Sequence, residues 1–175
     1  MQPWIVWSLS IGVAMGVIWL SGVYVNNQGM AGDPVGMVID ALADLFWTFF
    51  PVLVVVVVLA LVDRLSHLAD RSDLLLGASV LFADGWWRTR SNLHGKAAGF
   101  EFLGFLGTVL TVLLASLVLF VEAGQITQLA PVTASPLFSN LQFVLLLSSL
   151  LYGYVVRIRV AVKASRRTGG VPFDL

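Results

Sequence analysis

Residues 67–90 read HLADRSDLLLGASVLFADGWWRTR, and the fold turns on where this stretch sits. Charges punctuate apolar clusters: Leu74 to Leu76, then Val80 to Phe82, then Trp86 and Trp87 beside Arg88 and Arg90. Arginine mixed with aromatic rings suits a helix lying in a membrane interface. A cytoplasmic helical hairpin packed on the bundle or on neighbours is the equal alternative. The segment is too short for an independent folded domain.

On both sides of it the chain is strongly apolar. The 175 residues are 58% hydrophobic and only 11% charged, with a mean hydropathy of +0.91. Soluble domains carry about 25% charged residues, so the composition is that of an integral membrane protein. Four stretches approach the ~20 residues that a spanning helix needs: 4–25, 45–62, 102–121 and 141–156. The last is short, but "PLF" before it and "RIRVAV" after it can extend the helix. "MQPW" lacks the basic start of a secretory signal, so 4–25 is expected to be an uncleaved span. The aromatic run "LFWTFFP" (45–51) fits an interfacial belt.

Charge placement sets the expected topology. Residues 26–44 carry Asp33, Asp40 and Asp44 and no basic residue, and 122–140 carry only Glu122. All ten basic residues fall in 63–101 and in the tail 157–175. With four alternating spans these two regions share a side, which the positive-inside rule makes cytoplasmic. The expectation is therefore an all-α membrane protein. It has four spans, both termini inside, and a short cytoplasmic helical segment between spans two and three.

Little catalytic chemistry is written in the chain. Cysteine is absent and the only histidines are His67 and His94. "GKAAG" (95–99) lacks the spacing of a phosphate loop. We expect no enzyme, no metal site, no cofactor and no nucleic-acid partner. No span has a charge at its centre, and Asp40, Asp44, Glu101 and Glu122 fall near expected interfaces. They read as solvated boundary residues, so any titrating membrane carboxylate would come from another chain.

Small and hydroxylic residues do recur with helical spacing. Ser8, Gly12 and Gly16 repeat every fourth residue, a face for close helix contact. Gly104, Gly107, Thr108, Thr111 and Ala115 share one stripe of the third span. Gln142, Ser148, Ser149, Tyr152 and Gly153 form another in the fourth. Pro131 and Pro136 punctuate the loop between these spans, which predicts an antiparallel hairpin with facing stripes. Simple helix packing, with each hydroxyl bonded one turn back, explains such stripes equally well.

"GFLGTVLTVLLA" (104–115) resembles the third span of the MotA/TolQ/ExbB proton channel family, where a Gly-Leu-Leu-Gly-Thr-Val stretch recurs. "LLLSSLLYGYVVRI" (145–158) is similar to that family's fourth span, in which a hydroxylic pair precedes Leu-Tyr-Gly. The resemblance implies a ring of five copies around single-span partners that carry a membrane aspartate. It implies that Thr108, Ser148, Ser149 and Tyr152 line an ion route, with Thr111 and Gln142 on the same stripes. Gly104, Gly107 and Gly153 would admit the neighbouring helix. Thr111 stands where the family usually has glycine, Ser-Ser replaces the usual Thr-Thr, and the cytoplasmic part is small. The competing reading is a non-catalytic four-helix scaffold within a larger membrane assembly.

Overall fold

The computed structural model describes residues 34–61, 72–93 and 98–168, with Gly12, Met15, Gly16, Trp19, Leu20 and Val23 before them. All six of those early positions are helical; the rest of the expected first span, Ser8 included, lies outside the described residues. The described chain folds into helices α1 (Pro34–Leu61), α2 (Asp73–Asn92), α3 (Ala98–Glu122), α4 (Ala130–Thr133) and α5 (Pro136–Thr168). There is no strand among the described residues.

Local chemistry marks the boundaries. Pro34 opens α1, where its missing N–H is not required. Gly124 adopts φ +71° after α3. There Gly124 N donates to Val121 O and Gln125 N to Phe120 O, the paired bonds of a Schellman stop. Ser135 caps α5 by accepting the Phe138 amide at 3.2 Å, with Pro136 at the first helical position.

Among the described residues, three helices are long and apolar enough to cross a membrane: Val35–Val54, Ala98–Glu122 and Pro136–Ser165. The third and fourth expected spans lie within the last two, and α5 is extended at both ends as its flanks allowed. The second differs. Residues 34–44, expected in an outer loop, are the first turns of α1, so Asp40 and Asp44 belong to the helix.

Within the segment expected to be helical between the second and third spans, residues 73–92 form the single helix α2, which runs along α1, α3 and α5 and is the most heavily packed helix of the bundle. Cross-contacts fix the directions. Leu75 packs with Ala115, Val118 and Phe138, while Phe82 packs with Tyr152 and Val156. α2 is therefore antiparallel to α3 and parallel to α5. Val52 lies on Gly77 and Leu45 beside Gly153, so α1 is antiparallel to both α2 and α5. The result is an up-down-up-down bundle. The ends at Pro34, Asn92, Ala98 and Thr168 gather at one face, and Leu61, Asp73, Glu122 and Pro136 at the other.

α3 and α5 are antiparallel as expected, but α2 is wedged between them and they touch at few points. The glycines permit that wedge. A Cβ on Gly107 would stand 2.6 Å from the Phe82 ring, and one on Gly85 2.5 Å from Tyr152. The α2 core residues Leu74, Leu75, Ala78 and Leu81 are essentially inaccessible.

Candidate polar site inside the bundle

Polar groups inside an apolar bundle must be satisfied internally, and two sets meet this need differently. The first is the hydroxyl set anticipated from the sequence. Thr108 donates to the Gly104 carbonyl at 2.7 Å, and Thr111 to that of Gly107 at 2.7 Å. Ser149 donates to the Leu146 carbonyl at 2.7 Å. Each bond stays within its own helix, so these protons are committed to backbone oxygens. Tyr152 alone reaches across, donating to the Phe100 carbonyl of α3 at 2.8 Å. Its ring lies between those of Phe82 and Phe100, at centroid distances of 5.6 Å and 6.3 Å.

The anticipated ion path does not stay together. Thr111, Gln142 and Ser149 are fully buried within the single chain and Tyr152 is nearly so, whereas Thr108 is half-buried and Ser148 is exposed. Ser148 and Ser149 are one residue apart on a helix, about 100° around its axis, and cannot both face one channel. Gly104, Gly107 and Gly153 are close-packed, as expected of contact glycines. Gly104 meets Tyr152 and Trp86, so its neighbours come from α2 as well as α5. Gly12 and Gly16 face open space, with nothing within 4 Å of a built Cβ.

The second set escaped the sequence reading. Arg157 of α5 is 4% exposed, and its guanidinium binds α1, α2 and its own helix at once. Nε donates to Asp44 Oδ2 at 2.9 Å. Nη2 donates to Thr48 Oγ1 and to Asp84 Oδ2, both at 2.7 Å. Nη1 donates to the Gly153 carbonyl at 3.2 Å. Arg88 completes the cluster: its Nε spans both Asp84 oxygens at 3.0 Å, and Nη1 stands 3.0 Å from Asp44 Oδ2. Two arginines and two aspartates form a neutral quartet fastening three helices. These charge-assisted bonds in a fixed fork are the strong kind.

Asp44 keeps 45% of its side chain accessible, on a cleft of about 280 Å³ lined by Met37, Asp40, Ala41, Arg88 and Val160. Only part of this site was visible beforehand. Asp84 and Arg88 show the i,i+4 spacing of a helix ion pair, but nothing local ties them to Asp44 or Arg157. Further toward the same end, the Arg159 guanidinium lies 3.9 Å above the Phe100 ring and Lys163 Nζ donates to the Asn92 carbonyl. Among the described residues, no three His, Asp or Glu side chains gather as a metal site.

No family model, curated protein or solved structure matches the chain.

Proposed function

We propose that this chain is a helical-bundle subunit of a larger bacterial inner-membrane assembly, acting by packing and not by conducting ions through its own interior. The observation that carries this reading is the sorting of polar groups. The hydroxyls of Thr108, Thr111 and Ser149 bond to their own backbone, and the Arg157 guanidinium makes four hydrogen bonds to oxygens. The outward positions of α1 and α3 are largely apolar or aromatic, among them Trp47, Phe50, Phe102, Leu113 and Phe120. Gly12 and Gly16, unused inside the chain, supply a surface for close approach by a foreign helix.

A second reading is the ring subunit of an ion-driven complex, five copies around single-span partners bearing a membrane aspartate. The Gly-Thr-Val and Ser-Ser-Leu-Leu-Tyr-Gly stretches favour it. In that reading the half-buried Thr108 and the exposed Ser148 are the hydroxyls a partner can reach.

Substitution separates the two. The chain carrying both Thr108→Val and Ser148→Ala, the two hydroxyls the second reading gives to a partner, is purified from membranes into nanodiscs and also assayed in cells for proton-motive-force-dependent function. Under the packing reading, assembly and function are both retained, since the Thr108 hydroxyl bonds within its own helix and Ser148 is exposed. Retained assembly with lost ion-dependent function overturns that reading in favour of the second.

A further inference from the structure

We propose that α2 is itself a membrane-crossing helix, admitted to the apolar layer because Asp44, Asp84, Arg88 and Arg157 neutralise one another there. By composition α2 is not a spanning helix: Asp73, Asp84, Arg88 and Arg90 lie along its twenty residues. Their placement says otherwise. Asp73 and Arg90 sit at its two ends, where a spanning helix meets water. Asp84 and Arg88 are turned into the quartet, held by Arg157 and Asp44. Between Leu74 and Ala83 the helix carries no charge.

The outward stripe is the decisive feature. The fully exposed side chains before the last turn of α2 are Leu76, Val80 and Trp87; Ala83 is partly exposed between them, and the partly accessible Asp84 and Arg88 flank the stripe in their ion pair. A helix lying in water beneath a membrane would turn a polar face outward; α2 turns an apolar one. Twenty residues at 1.5 Å each span about 30 Å, the thickness of the hydrocarbon core. α2 also runs alongside both α3 and α5, each apolar enough to cross. The ends of α2 then face opposite sides of the membrane, and α1 and α3 cross in the same direction.

The chain has no cysteine, so one introduced thiol reports unambiguously. The full-length protein is placed in sealed vesicles and treated with a membrane-impermeant maleimide. Asp73→Cys is expected to react from the same side as Gln125→Cys, and Ser91→Cys from the opposite side. Asp73→Cys and Ser91→Cys reacting from one side overturns the proposal. A measurement independent of Asp73 is oxidation of the paired variant Leu75→Cys with Val118→Cys in intact membranes. Disulfide formation supports a helix lying along α3, and none forms if α2 lies beneath the membrane. The quartet is tested in the Asp73→Cys chain: Arg157→Leu is expected to abolish its sided labelling, and adding Asp84→Leu to restore it. Unchanged labelling in Arg157→Leu removes the quartet from the proposal.

Discussion

Arg157 is the residue on which most of the described bundle converges. Its side chain is 2% accessible yet carries a full charge, a placement tolerated only with nearly every N–H satisfied. Removing one partner of a buried ion pair costs about 3–5 kcal/mol, because the remaining charge stays buried and unpaired. Arg157→Leu leaves Asp44 and Asp84, 45% and 26% accessible, to share Arg88, so it is expected to destabilise the bundle by less than that, about 1–3 kcal/mol. Arg157→Lys keeps the charge but loses the planar fork that reaches Asp44, Thr48 and Asp84 together, so it recovers only part of the loss. Denaturant titration in mixed micelles measures both. A lysine variant as stable as the wild type would make the site a simple charge balance with no role for the fork.

At the scale of elements, α1, α3 and α5 were largely legible; α2 was legible as a helix but not in its place between α3 and α5. Long apolar runs announce themselves one helix at a time, so 102–121 and 141–156 fall inside observed helices. A hydropathy window counts Asp84 and Arg88 as two separate charged residues. It cannot see Arg157, 73 residues from Asp84, or Asp44, 113 residues from Arg157. The same blindness misplaced Asp40 and Asp44, assigned to an outer loop because they are charged. The glycine stripe, expected as a contact face, meets α2 at Gly107 and both α2 and α5 at Gly104. Nothing in the spacing of Gly104 and Gly107 says whether α5 or an intervening α2 fills the groove. Gly107→Ala sharpens this point. Its methyl would press on Phe82 at 2.6 Å, and such overpacking costs about 1–3 kcal/mol. Gly12→Ala, facing open space, should leave the isolated chain's stability unchanged or slightly raised. Comparing the two unfolding midpoints in detergent checks the pair, and equal losses would contradict the contact.

For the molecule as a whole, the wedge of α2 poses a problem of cohesion. The quartet fastens α1, α2 and α5, yet no member of it comes from α3. α3 is held through α2 and, toward the quartet end of the bundle, by Tyr152. That side chain stacks near Phe82 and Phe100, fills the space left by Gly85 and Gly104, and donates its proton to Phe100 O. Its two contributions can be separated. Tyr152→Phe keeps the ring and removes one hydrogen bond, a loss of about 1 kcal/mol. Tyr152→Ala empties a volume between three helices and should cost about 3–5 kcal/mol, as large aromatic truncations do. Only the second change should let α3 move. Spin labels at Ser116→Cys on α3 and Ser148→Cys on α5 report that motion by pulsed distance measurement, with no native thiol to interfere. The expected distribution is narrow in the parent and in Tyr152→Phe, and broad in Tyr152→Ala. If Tyr152→Ala stays narrow, α2 with the Arg159–Phe100 and Phe138 contacts holds α3 in place, and Tyr152 only fills space.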